Sequence, residues 1–392
     1  MNKIKVYKSM VMLLLTTCLG LNGFTQKSFE VKAKIRNADK YTYYLAYSVN
    51  GEFKIDTKPE IKNGWAIFKG TVDEPVLASF GLRGNPELLI KMGEGIIPGH
   101  GLNFFLTNEA FKIEGEANKV YASNVSGGLA NKDWNRIKPK ENKLIDESWI
   151  ALKNAYKKIG KNNDSSYLES AYKLNEKNKN RIEQMHTDFM NKFPKSLLSM
   201  YFLSTKVNEL SLDVLKTDFS RLGNKYKNTS FAKQIQEKIA NMDATALGKY
   251  AIPFTKKDLN GNSISLESLK GKIVLLDFWG SWCVPCRQSF PYLKELYSKY
   301  KNDGFEILGI ALEQGQTVED SKAIWKKTVK EDDLPWLQVL NNEEKEVFDA
   351  VKSYGVTAFP TQILLDKEGK IIARYVGESG DLDELLKSVF KK

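Results

Sequence analysis

The chain has 392 residues, of which 42% are hydrophobic and 27% charged, and a formal net charge of +11. That length is ample for two or three domains of a soluble globular protein. The basic excess comes mainly from lysine, and with no nucleic-acid-binding motif along the chain it reads as a solvated surface, so no nucleic acid is expected as a partner.

The first 25 residues predict a secretory signal peptide. Lys3, Lys5 and Lys8 precede the apolar run MVMLLL, and TTCLGLNGFTQ supplies the small-residue exit. The run is too short to span a bilayer, and cleavage near Thr25 would release the mature chain outside the cytosol, in the periplasm or cell envelope. LTTC also loosely resembles a bacterial lipoprotein box. The membrane is therefore expected as a partner only if Cys18 is lipidated, and Thr17 fits that motif poorly. Of the three cysteines, only Cys283 and Cys286 remain in the mature chain.

Residues 26–120 predict a small antiparallel β domain, sandwich-like. FEVKAKIR and GWAIFKGTV carry partly alternating apolar positions, YTYYLAYSV is aromatic-rich, and VLASFGLR, LNFFLTN and AFKIEGEA continue the theme. Asn50-Gly51 and Asn63-Gly64 mark hairpin turns. GEGIIPGHG (Gly93–Gly101) is glycine-rich but lacks the following helix that a phosphate loop needs, and reads as a plain loop.

Residues 121–245 predict an α-helical domain. Leu144, Trp149, Leu152, Tyr156 and Ile159 recur at helical spacing, as do Ile182, Met185, Phe189 and Phe193 before Pro194. Ser196 is placed to cap the next helix. These stripes are most simply core faces; a partner-binding groove is the alternative.

Residues 246–392 predict a mixed α/β sheet. Asn260-Gly261 marks a hairpin turn in the lead-in. IVLLDFW and FEILGIAL are near-continuous apolar runs, as expected of strands buried on both faces. Helical patterns run from Pro285 to about Lys301, Val318 to Lys330 and Glu343 to Tyr354. TQILLD and IIARYVG flank a turn at 367–370, and DLDELLKSVFKK closes the chain as a helix.

Cys283 and Cys286 lie where the strand IVLLDFW turns into a helix. A tetrahedral zinc site needs four ligands, the chain has no second cysteine pair, and its two histidines, His100 and His186, lie in no ligand-like cluster; no metal is expected. A structural staple closing so short a loop removes little entropy from the unfolded chain. Thiol–disulfide exchange remains, with the pair itself as the redox group and no further cofactor. Cys283 at a helix N-terminus gains from unpaired N–H groups and the helix dipole, which favour the thiolate nucleophile. Cys286, one turn on, is placed to resolve a mixed disulfide. Pro285 falls in the first turn, where its missing N–H costs little.

Asp277 lies inside the apolar strand, where desolvation would raise its pKa and suit it to relay a proton for Cys286; the alternative is a structural hydrogen bond. Trp282 would shield the surface beside the pair or simply pack, and Arg287 is a surface cation that would modestly favour the thiolate. Pro360 directly precedes an apolar strand, an odd place for proline. A cis Phe359–Pro360 bond would resolve this and leave the Phe359 backbone free to pair with an extended substrate. An ordinary trans proline at a strand start is the alternative.

DFWGSWCVPC followed by GVTAFPT resembles the thioredoxin superfamily. ILGIALEQGQTVEDSKAIWKK and LPWLQV resemble its exported TlpA/ResA-like branch. The similarity covers about 251–392. It implies a thioredoxin fold, a nucleophilic Cys283, a resolving Cys286 and a cis Pro360, with Asp277 matching the buried aspartate of thioredoxins. Protein thiols and disulfides, and an envelope electron donor or acceptor, are the implied partners. Some relatives carry a glutamate between the cysteines; Val284 stands here, so no role of that residue carries over. The β region is similar to a domain of unknown function often fused ahead of such modules in Gram-negative bacteria.

Two rival functions remain. A peroxiredoxin would need a Pro and Thr ahead of its cysteine, and DFWGSW offers neither. A client- or envelope-binding protein with an accessory redox module would place the main function in the first two domains.

Overall fold

The computed structural model describes residues 28–391 apart from 50, 93–94, 163–165 and 378–379. The expected leader and Cys18 lie outside the described residues. The chain divides into two compact units, one ending at Tyr172 and one beginning at Lys173.

In the first unit, β1 (Phe29–Arg36) alternates buried Phe29, Val31, Ala33 and Ile35 with outward Glu30, Lys32, Lys34 and Arg36, the period of a strand buried on one face. The strands that follow are β2 (Thr42–Val49), β3 (Glu52–Asp56), β4 (Glu60–Lys62), β5 (Trp65–Gly70) and β6 (Val76–Arg83). Then come β7 (Leu89–Met92), β8 (Gly95–Pro98), β9 (Leu102–Leu106), β10 (Ala110–Glu116) and β11 (Asn124–Ser126). Nine of these form sheets in the orders β11-β10-β1-β5-β4 and β3-β2-β6-β9, which share one core, and β7 pairs with β8 in a separate ladder. Every pairing is antiparallel except β1 with β10, which is parallel. Asn63 and Gly64 both take positive φ, 51° and 74°, as a two-residue link between β4 and β5 requires.

The plain loop expected at Gly93–Gly101 is corrected in part. Its Gly95–Pro98 segment is β8, with Ile97 opposite Ile90 and Ile96 opposite Lys91. The adjacent β-branched residues Ile96 and Ile97 favour extended backbone there. Helices α1 (Leu129–Trp134) and α2 (Lys138–Asn162) follow, and α2 buries Leu144, Trp149 and Ala155.

The long helix α3 (Ser166–Lys192) leads into the second unit. There α4 (Leu197–Thr205), α5 (Leu212–Arg221) and α6 (Ser230–Ala244) bury Met200, Leu203, Leu215 and Ile235 in one cluster. Ser196 caps α4 as expected, its Oγ accepting the Leu198 N–H at 3.1 Å. A hairpin of β12 (Thr255–Lys257) and β13 (Ser263–Ser265) then precedes a five-stranded sheet. Its order is β16 (Leu337–Leu340), β15 (Phe305–Ala311), β14 (Ile273–Trp279), β17 (Thr361–Leu365), β18 (Ile371–Val376). The first three are mutually parallel, and β17 and β18 close as an antiparallel hairpin. One face packs on α7 (Val284–Tyr300), α8 (Val318–Glu331) and α10 (Leu382–Phe390). The other packs on Phe254, Ile264, Leu266 and Tyr354. This is the thioredoxin arrangement that the resemblance implied.

The helix expected over Glu343–Tyr354 shrinks to α9 (Ala350–Ser353), after turns at 341–347. Buried Lys256 explains it. Its ammonium donates to the carbonyls of Asn341 and Glu343, and Asn341 Oδ1 accepts the Ala350 N–H. Glu344 sits at φ 50°, outside the right-handed helical region.

Candidate active site

The site stands at the C-terminal end of β14, the central strand, where open α/β sheets usually place their chemistry. All seven residues of β14 are buried. Alternation sends Leu275 and Trp279 toward the α7 face and Leu276 and Phe278 to the opposite one. Asp277 shares the α7 face by that register.

The chain leaves β14 through Gly280–Trp282 and enters α7 with Cys283 as N-cap. Cys283 and Cys286 are joined as a disulfide. The Cys286 backbone N–H donates to Cys283 Sγ at 3.2 Å. Cys283 is 4% exposed and Cys286 fully buried. Pro285 lies in the first helical turn, as expected.

Asp277 is 1% exposed, and burial pushes its carboxyl up to about 7. Its Oδ1 accepts the Gln362 Nε2–H at 3.1 Å, which opposes that rise, while Oδ2 has no hydrogen-bond partner among the described residues. A proton on this side chain therefore resides on Oδ2.

The Phe359–Pro360 bond is cis. Phe359 and Pro360 border a cavity of about 490 Å³ together with Pro285, Gln288, Ser289 and Tyr292. Among the described residues, none hydrogen-bonds to the Phe359 backbone. Trp282 stands edge-on to Phe359, ring centroids 5.2 Å apart, and its Nε1–H donates to Leu312 O at 2.8 Å. It is 40% exposed, so it both packs and presents surface.

Residues 246–388 match the Redoxin domain family, and residues 29–134 match a domain of unknown function, DUF4369. The thiol-disulfide oxidoreductase ResA of Bacillus thuringiensis subsp. konkukian is 41% identical over 145 residues, 36% of this chain and 78% of the relative. ResA of Bacillus subtilis is 35% identical over 138 residues, 35% of this chain and 72% of the relative. This chain belongs to the TlpA/ResA-like thiol-disulfide oxidoreductases of the thioredoxin superfamily. Among solved structures, the thioredoxin domain of a thiol-disulfide oxidoreductase from Bacteroides vulgatus is 40% identical, covering 37% of this chain and 98% of its own, with a TM-score of 0.33.

Like its ResA relatives, the protein is an oxidoreductase, and its redox module follows a DUF4369 domain. The structure brings Cys283, Cys286, Asp277, Trp282, Pro285, Phe359 and Pro360 to one end of the sheet. The two histidines lie elsewhere: His100 borders Tyr121 and Trp149, and His186 stacks on Phe202.

One expectation is corrected. Arg287 makes a two-pronged ion pair with Asp332, at 2.8 and 2.7 Å, so its charge is matched there and does not favour the thiolate. Three buried polar residues escaped the sequence reading. Gln362 pairs with Asp277; Gln338 accepts the Trp279 Nε1–H at 3.1 Å; Glu313 binds Ser281. Gln338 is the single polar residue of LQVL, and Gln362 follows Thr361 at the head of the otherwise apolar TQILL, so both carry a sequence signal. Nothing in its neighbours marks Glu313.

Proposed function

We propose that this protein is an exported thiol–disulfide oxidoreductase acting on protein thiols and disulfides, with Cys283 as the attacking thiol. The observation that carries the reading is the Cys283–Cys286 disulfide seated with Cys283 as N-cap of α7 and Cys286 N–H on its sulfur. After reduction the same N–H and the helix dipole favour a Cys283 thiolate.

In the reducing direction, the Cys283 thiolate attacks one sulfur of a partner disulfide. A Cys283–partner disulfide forms, and the other partner sulfur leaves as thiolate and takes a proton. Cys286 gives its proton to Asp277 Oδ2 and attacks Cys283 Sγ. The Cys283–Cys286 disulfide forms, the second partner thiolate leaves, and two electrons have passed to the partner. In the oxidising direction every step runs backward.

The cavity beside Pro285, Phe359 and Pro360, with the unpaired Phe359 backbone, suits an extended partner segment laid next to the cysteines. Export is supported by the charged and apolar pattern of the first 25 residues.

The test is exchange by the purified mature chain with glutathione and with a disulfide substrate such as insulin, together with trapping by Cys286→Ser. Mixed disulfides through Cys283 are expected to accumulate in that variant. Absence of exchange removes the function, and trapping through Cys286 in a Cys283→Ser variant instead would reverse the roles.

A further inference from the structure

Glu313 follows β15 and is 4% exposed. Its Oε1 accepts the Ser281 backbone N–H at 3.0 Å, and its Oε2 accepts the Ser281 hydroxyl at 2.5 Å. Its own backbone is gripped by a third segment. Its N–H donates to Asn342 Oδ1 at 2.8 Å, and its C=O accepts Asn342 Nδ2–H at 2.9 Å.

Ser281 lies two residues before Cys283, inside the turn closed by the Cys283 N–H donating to Gly280 O at 3.0 Å. The same turn is tied on both sides of Glu313's contact. Leu312 N–H donates to Trp279 O at 2.9 Å, and Trp282 Nε1–H donates to Leu312 O. A Cβ at Gly280 would lie 2.7 Å from Leu312 O and 2.5 Å from Trp282 Nε1, so the turn and the Glu313 loop touch closely.

Two donors just ahead of α7 are thus spent on a carboxylate. Among the described residues, no Lys, Arg or His forms an ion pair with Glu313. Arg287, one turn into α7, is held by Asp332, and Lys322 by Glu343. Burial pushes the Glu313 carboxyl above its ordinary value, and the Ser281 donors pull against that. With both oxygens accepting from Ser281, the geometry is that of a carboxylate, hydrogen-bonded to the turn that leads into Cys283 and without an ion-pair partner among the described residues. Such a charge disfavours a nearby thiolate. The Cys283 thiolate exists only in the reduced pair, so whatever disfavours it makes the pair a stronger reductant.

We propose that Glu313 is a positioning residue of the redox centre. It holds the Ser281–Trp282 turn ahead of Cys283, and its charge keeps the Cys283–Cys286 pair more reducing than the helix N-terminus alone would leave it. This rests on the assignment of Cys283 as the attacking thiol.

The experiment equilibrates wild type, Glu313→Gln and Glu313→Ala full chains with glutathione buffers and measures the fraction oxidised. It also reads the Cys283 thiol pKa from alkylation rates in a Cys286→Ser background. Gln keeps the clamp: its carbonyl accepts the Ser281 N–H, and its amide donates to the hydroxyl. Glu313→Gln is expected to shift the equilibrium constant toward reduced protein on the order of tenfold, about 30 mV upward, and to lower the Cys283 pKa. Glu313→Ala is expected to shift the same way and also to slow exchange, because the turn loses its clamp.

A merely structural role moves neither readout in the Gln variant. If wild type exchanges and Glu313→Gln stays within twofold of it in both readouts, the inference is overturned. If wild type does not equilibrate with glutathione at all, the proposed function falls first and this inference with it.

Discussion

Asp277→Asn is the substitution whose consequence follows most directly from the structure. The folded carboxyl titrates near 7, against an ordinary value of 3.8, and the first cause is burial. The sign follows from proton counts. Between the two values the folded state holds a proton that the unfolded chain has released. Stability therefore falls as pH rises through that window, and the deficit is complete above the folded value. The gap of roughly three pH units corresponds to about 4 kcal/mol at alkaline pH, of which roughly 2–3 kcal/mol develops between pH 5 and 8. Asparagine does not titrate, so the variant avoids that deficit.

The assay is guanidinium unfolding of the oxidised full chain, wild type and Asp277→Asn, at pH 5, 6, 7 and 8. Any fixed effect of the substitution, such as an altered bond to Gln362, is the same at every pH and cancels from the slope. The variant is expected to gain on wild type steadily from pH 5 and to level off just above pH 7. A stability difference flat to within about 0.5 kcal/mol across that range would refute the reasoning, because the carboxyl would then titrate alike in both states. In the same variant, resolution of a mixed disulfide by Cys286 is expected to slow, since Oδ2 no longer accepts its proton.

Gln362→Leu removes the Nε2–H donor on Asp277 Oδ1, so the inflection of exchange rate against pH should move up by about one pH unit; an unmoved or lowered inflection contradicts the assigned role of that bond. Lys256→Met strands the Asn341 and Glu343 carbonyls that the ammonium holds, and denaturation should show a loss of about 1–3 kcal/mol, with no loss counting against the account of the 341–347 turns. Gly309→Ala would set a Cβ 2.3 Å from Gln338 Oε1, the acceptor of Trp279. The same assay should report roughly 1–3 kcal/mol of destabilisation, and a neutral result would mean that Gln338 moves freely. Arg287→Ala breaks an exposed pair, so stability should change by less than about 1 kcal/mol and the glutathione equilibrium by less than about twofold; a larger shift in that equilibrium would restore the thiolate role that the Asp332 pair removes.

The residues that could be read in advance are those whose chemistry is local. Cys283, Pro285 and Cys286 share one helical turn, and strand alternation over IVLLDFW places Asp277 on the same side without knowledge of any other segment. Lys256 shows the opposite case. Glu343–Tyr354 has a helical pattern, but an ammonium 87 residues back in the chain claims its first carbonyl, together with that of Asn341 just before it, and the pattern loses. The partners of the residues around the pair are equally remote: Gln362 lies 85 residues from Asp277, Glu313 lies 32 from Ser281, and Asp332 lies 45 from Arg287. Arg287 differs from its expectation for that reason: a lone cation beside a cysteine is a different object from one already paired with Asp332. A motif therefore settles which atoms exchange electrons, because bond making needs only neighbours. The potential at which they do so depends on the summed field of residues brought in by β15, β16 and β17. If the charge of Glu313 acts as proposed, a single remote carboxylate shifts that potential while the motif stays unchanged, so sharing the motif does not imply sharing a redox poise.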